Sequence, residues 1–146
     1  IPANPTLAAK PTCLGMGAIG VMLTGTVFYN AVDALGRDAG AHEIQDSCGG
    51  HPDQSSSYHY HSLSPCADDP GAGHSALVGY ALDGFGIYGH RGENGETLTN
   101  ADLDIYHGHT AVTREYPNGI YHYHITASDP FINGSGFYGI AGTVGN

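Results

Sequence analysis

The sequence predicts a mainly β, compact, hairpin-rich domain with one or two short helices and an internal pseudo-two-fold repeat. Three observations carry that prediction. Short β-branched and aromatic runs, punctuated by a glycine content of 23 in 146 residues, are the pattern of short strands joined by tight turns. Only 4 Lys and Arg, set in that much glycine, speak against coiled coils and helical bundles. The tetrapeptide Tyr-His-Tyr-His occurs at residues 58–61 and again at 121–124. At this composition one chance copy is expected in roughly a few hundred chains of this length, so two point to repetition.

The elements follow in order. Residues 1–13 read as an extended, Pro-punctuated arm whose opening, without Met, looks processed, and residues 14–146 as one domain with one core. The longest apolar stretch, residues 14–29, is broken by Gly15, Gly17, Gly20, Thr24 and Gly25, too short and interrupted to span a bilayer. Residues 21–23 and 26–29 around Thr24-Gly25 form a first hairpin. Asp38 caps a helical turn leading to Gln45. Residues 76–82 and 85–88 flank Asp83-Gly84, which predicts a second hairpin with a type I′ turn. Asn100 caps a turn over residues 101–104, and residues 111–116 and 120–126 around Pro117-Asn118-Gly119 form a third hairpin. First hairpin and first tetrapeptide are each displaced by about sixty residues from their second copies, which gives half-repeats of about 19–66 and 76–126. The alternative is that both tetrapeptides merely suit strands, since Tyr is a good strand former.

A formal charge of -10, with 14 Asp and Glu, argues against nucleic-acid or anionic-membrane partners, which need a basic face. Cys48 and Cys66 bracket a loop dense in His, Ser and Pro and lie in no C-x-x-C pair, so a disulfide is more natural than a zinc ribbon. Cys13 is left to pair outside this chain or to stay a thiol.

Strand alternation puts His59 and His61 on one face and Tyr58 and Tyr60 on the other, and does the same with His122 and His124 against Tyr121 and Tyr123. For the tyrosines, core packing is the simplest role. His107 and His109 make a third pair of this spacing, so six of ten histidines sit in His-x-His pairs, which let two imidazoles reach one ion. Two pairs brought together across a pseudo-dyad would supply four nitrogens, a donor set for copper or zinc. By the repeat, His42 and His51 stand where the second half has His107 and His109 and can complete the site. The candidate metal ligands are therefore His59, His61, His122, His124, His107, His109, His42 and His51. Histidines on a β face can also stack and bond carboxylates without any metal. His74 and His90 read as solvated or capping, and most aspartates as turn residues. No nucleophile elbow, zincin helix or phosphate loop marks a catalytic residue, so catalysis would need an open position on the metal. Asn133-Gly134-Ser135 is a glycosylation sequon, compatible with a surface.

Several stretches together resemble the YHYH protein family: residues 30–48 with Asn30-Ala31-Val32-Asp33 and Ala41-His42-Glu43, then Gly50-His51-Pro52, both tetrapeptides, Ser64-Pro65-Cys66, residues 74–89, residues 98–104 and His107-Gly108-His109-Thr110. The resemblance covers about residues 14–140. It implies an exported protein, secreted or periplasmic, of poorly defined activity. Relatives often carry a longer region upstream. They also tend to have Cys where this chain has Tyr106 and another near Ser135, and joint absence is what a lost disulfide predicts, leaving Cys48 and Cys66 paired. Two functional expectations follow. One is a secreted copper- or zinc-binding domain. The other is a structural subunit of an extracellular oligomer or filament, self-associating through an N-terminal arm that cannot pack on itself and docks on a neighbour.

Overall fold

Two sheets carry the chain in the computed structural model, which describes residues 1–67, 69 and 71–142. The strands are β1 (Leu7–Thr12), β2 (Ala18–Met22), β3 (Val27–Tyr29), β4 (Gly50–Pro52), β5 (Tyr58–Tyr60), β6 (Leu77–Ala81), β7 (Gly86–Tyr88), β8 (Gly108–Ala111), β9 (Ile120–His124) and β10 (Phe137–Gly139). Eight of them form one sheet in the order β4-β5-β3-β2-β6-β7-β9-β8. Its centre is the antiparallel pair β2 and β6, in the register Val21 to Tyr80. Outward from that junction each half repeats one plan: an antiparallel hairpin partner, then a parallel tetrapeptide strand, then an antiparallel edge strand. The repeat predicted from sequence is thus present as strand order. Gly79 serves the junction, because a Cβ there would run into the Val21 carbonyl and the Met22 Cα.

The first two hairpins form as expected, with one correction to turn chemistry. Of Asp83 and Gly84 only Gly84 has positive φ, at 89°, so the type I′ turn does not form. The Ala81 N–H donates to the Phe85 carbonyl and the Gly84 N–H to the Ala81 carbonyl, which makes a three-residue loop with glycine in the left-handed position. Met22, Thr26 and Gly25 repeat that pattern in the first half. Fully buried, Asp83 accepts from the Tyr123 hydroxyl at 2.5 Å, the Gly139 N–H at 2.9 Å and the Phe85 N–H at 3.2 Å. Burial pushes its carboxyl up from the usual carboxylate range.

The third hairpin differs more. Ala111 pairs with Ile120, so residues 112–119 form the loop, and His122 faces His109 where the short loop would have put Glu115. Glu115 instead accepts from the Tyr88 hydroxyl at 2.9 Å. Among the described residues helix is confined to α1 (Ala39–His42), capped by Asp38 as predicted, and to a 3-10 turn over Asn100–Asp102, whose cap is Thr99 one residue before the expected Asn100. The core holds Ile19, Phe28, Ile87, Ile125 and Phe137 together with Tyr60, Tyr121 and Tyr123, the packing role expected for the tetrapeptide tyrosines.

The N-terminal arm packs on its own chain. β1 pairs antiparallel with β10, from Leu7 opposite Gly139 to Thr12 opposite Phe137. The arm has a partner without a neighbouring subunit, which removes the reason for expecting it to dock on one. Cys48 and Cys66 are disulfide-bonded, and Cys13 is free and exposed. Gly134 donates to the Tyr106 carbonyl at 3.0 Å and Ser135 to that of Ile105 at 2.8 Å, which sets Tyr106 beside Ser135. Asn133 is 1% exposed, so the sequon does not present its side chain at the surface.

Candidate metal centres

Each tetrapeptide histidine pair is met by an edge-strand histidine delivered by the same local device. Asp46 accepts from the Cys48 and Gly50 N–H groups at 2.8 and 3.3 Å and from the Tyr58 hydroxyl at 2.7 Å, and hydrogen bonding to Tyr58 holds its carboxyl below the usual range. Asp104 accepts in the same way from the Tyr106 and Gly108 N–H groups at 2.9 and 3.1 Å and from the Tyr121 hydroxyl at 3.0 Å. The chain then passes a left-handed residue, Gly49 with φ 76° or His107 with φ 74°, and enters the edge strand. His51 lands opposite His59, and His109 opposite His122.

Two groups of four ligand atoms result, each mutually within 4.8 Å: Glu43, His51, His59 and His61, and His74, His109, His122 and His124. In the second, His74 and His122 Nε2 are 3.2 Å apart, His109 and His124 Nε2 3.2 Å, and His122 and His124 Nε2 3.0 Å. In the first, His59 and His61 Nε2 are 3.0 Å apart and His51 and His61 Nε2 3.4 Å, while Glu43 Oε2 lies 2.8 Å from His61 and 2.9 Å from His51. A tetrahedral site with metal bonds of about 2.0–2.1 Å has edges of about 3.3 Å.

The other ring nitrogens fix what faces inward. His74, His122 and His124 donate Nδ1–H to the carbonyls of Ser75, Ile120 and Gly89 at 2.8, 2.9 and 2.6 Å. His59 and His61 donate to Ser57 and Asn30 at 3.0 and 2.5 Å. A carbonyl only accepts, so in the neutral ring Nδ1 carries the proton and Nε2 presents its lone pair to the other Nε2 atoms. This orientation by backbone carbonyls is the one common to metal-bound histidine. Burial holds His122 down at about 4 and His124 at about 2, and pushes His59 and His109 in the same direction, so the rings stay neutral. Tyr29 stacks on His59 at 3.8 Å, and Tyr88 meets His122 edge-on at 4.9 Å.

Of the eight histidines predicted as ligands, His51, His59 and His61 come together in one group and His109, His122 and His124 in the other. His59 and His61 do not join His122 and His124 in one site, because β3, β2, β6 and β7 lie between the tetrapeptide strands. Five strand spacings put them roughly 24 Å apart along the sheet. His107 falls outside both groups. Its left-handed backbone breaks the alternation that would have placed it beside His109, and its ring contacts Asn100 Oδ1 at 3.0 Å and the Ile132 carbonyl at 3.2 Å. His42 is turned away too, its Nδ1 bonded to the Asp38 carbonyl of its own helical turn at 3.0 Å.

Glu43 and His74 were missed, and for one reason. His51, His59 and His61 correspond to His109, His122 and His124 under the repeat, but the fourth member does not obey it: Glu43 follows α1 in the first half, and His74 precedes β6 in the second. The adjacency of Glu43 to His42 was the one available signal, and nothing in the sequence marked His74.

The fold and its paired centres define a β protein with a duplicated histidine plan. A model of the YHYH protein family matches residues 1–100 and 92–136, and the chain belongs to that family. No curated protein and no solved structure matches it.

Proposed function

We propose that the protein is an exported metal-binding domain that holds copper or zinc at two centres, one with three histidines and Glu43, the other with four histidines. The observation carrying this reading is the approach to 3.0–3.2 Å of the Nε2 atoms of His59 and His61, of His122 and His124, and of His74 and His122, five rings whose Nδ1 protons are committed to carbonyls. Lone pairs facing one another at that distance repel unless a cation lies between them. A shared proton would need an imidazolium where burial disfavours it. Imidazole nitrogen with at most one carboxylate suits copper or zinc and does not suit calcium or magnesium, which take oxygen cages. Glu43 Oε2 supports the same reading, since it is buried beside two Nε2 atoms without a hydrogen bond of proper geometry. The disulfide is compatible with an extracellular or periplasmic location, and no helix among the described residues is long and apolar enough to cross a membrane. The reading takes residues 14–146 as one domain built of half-repeats at about 19–66 and 76–126, with residues 1–13 as an arm.

Titration of the metal-free protein with zinc and with copper, followed by calorimetry, tests this. Near-stoichiometric uptake of two ions is expected, with His59→Ala and His122→Ala each losing one. Absence of uptake, or variants that bind as the parent does, sinks the proposal.

The second reading, a subunit of an extracellular oligomer or filament, keeps one observation. β1 and β10 form a two-stranded sheet of their own, with Leu7 and, just past β10, Ile140 exposed, so its edges offer strand-addition sites. Solution mass with and without residues 1–12 tests it, and an unchanged oligomeric state removes it.

A further inference from the structure

Within the two-centre reading, we propose that the Glu43 centre keeps one coordination position open to a cavity and binds a small exchangeable donor ligand there, whereas the His74 centre is closed. The two centres share three ligands by symmetry and differ in what surrounds them.

All four ligands of the first centre line one cavity of about 430 Å³, together with Tyr29 and Asp53. Of the second centre's ligands, His74 alone shares in the walls of five cavities among the described residues, in one of about 300 Å³ that Asp69, Arg114 and Glu115 also line. The second centre is boxed by rings: His74 meets Tyr88 at 4.9 Å and His124 at 5.0 Å, and Tyr88 in turn covers His122. Both centres have four protein ligands, so the open position of the first is a fifth one, on the side facing the cavity. In the first centre Tyr29 stacks on His59 at 3.8 Å and meets His61 edge-on at 6.1 Å. The fourth ligand is a carboxylate 25% exposed, carried just past a one-turn helix, and His51 on the sheet edge is 17% exposed.

Volume and charge say what fits. A cavity of this size is in the range of small-ligand pockets and many times the roughly 30 Å³ that one water occupies. No Lys or Arg lines it. The Asp33 and Asp53 carboxylates on its wall are taken up by Arg37 at 2.8 Å and by the Tyr29 hydroxyl at 2.9 Å. The wall therefore has no fixed cation to capture a polyanion. A divalent ion offset by Glu43 keeps one positive charge at the ion while the Asp53 carboxylate stays ionised on the wall, which suits water, hydroxide or another small donor bound directly to the ion, or the oxygen of an uncharged polar substrate.

Azide is the probe. Protein loaded with two Cu(II) per chain, as verified by metal analysis, is titrated with azide while the azide-to-copper charge-transfer band and the Cu(II) paramagnetic resonance spectrum are followed. One azide per chain is expected, perturbing one of two resonance signals. His61→Ala, left with the His74 centre alone, is expected to bind one copper and no azide. His51→Ala, at the more exposed edge position, repeats the comparison should loss of His61 disturb folding. Two coppers bound without any azide band, or azide bound equally by the variants, overturns the open-position proposal and leaves the metal reading standing. Absence of copper uptake overturns both.

Discussion

Replacing Cys48 and Cys66 by serine is expected to weaken one metal centre and spare the other. The bridge closes a loop of sequence separation 18. In the chain-entropy description a loop of that length contributes about 3 kcal/mol, which in a chain of this size lowers the thermal midpoint by roughly 6–12 °C. The cost has a local address. Cys48 stands three residues before His51, its carbonyl accepts the Ser64 hydroxyl at 2.7 Å, and Ser64 follows His61 by three residues. The bridge therefore ties the lead-in to β4 to the exit from β5, the two strands that carry the first centre. The second half is the internal control, because the His74 centre is built without a bridge and the remaining cysteine, Cys13, is free. Thermal unfolding by tyrosine absorbance, paired with zinc titration of the folded double variant, reads both effects. The expected outcome is a midpoint drop in the stated range, weaker zinc binding at one site and unchanged binding at the other. Equal weakening at both sites, or no change at either, would refute the assignment of the bridge to the first centre.

Three further outcomes follow from the same contacts. Asp83→Ala removes the acceptor shared by Tyr123, Gly139 and Phe85 in a fully buried place and is expected to cost about 2–4 kcal/mol in urea unfolding; a loss below about 0.5 kcal/mol contradicts the role given to it. Gly79→Ala forces a Cβ into backbone of β2 and is expected to destabilise the junction of the halves, so a variant that unfolds at the parent's midpoint counts against that packing. In metal-free protein, His122 stays neutral down to about 4 and His124 to about 2, while the unfolded chain takes up those protons near pH 6.5. Their stabilisation is complete above that pH and is lost as pH falls toward 4, so the urea midpoint at pH 5 should lie below that at pH 7, and an equal or higher one rejects buried neutral rings.

Most of the fold was legible because its signals are local. The Gly-bearing hairpin turns, the Asp38 cap and the tetrapeptide alternation all act within a few residues, and the repeat could be seen by laying the halves together. The misses are long-range or conformational. Asp83 is the turn residue expected, accepting from the Phe85 N–H, but its further partners Tyr123 and Gly139 lie 40 and 56 residues away and carry no local signal. His107 looked like half of a pair because its positive φ cannot be read from spacing; only its correspondence with Gly49 gives it away, since Asp46-x-x-Gly49-Gly50-His51 and Asp104-x-x-His107-Gly108-His109 align position by position. The division into two centres hung on sheet order. Two tetrapeptide strands far apart in one sheet make two sites, and adjacent ones would have made one.

Crystals grown with zinc or copper and measured at the metal's absorption edge test the two-centre claim most directly. Two anomalous peaks are predicted per chain, one about 2.0–2.1 Å from Nε2 of His74, His109, His122 and His124, the other at that distance from Nε2 of His51, His59 and His61 and from Glu43 Oε2. A single shared peak, peaks at His42 or His107, or no peak at either cluster would contradict it.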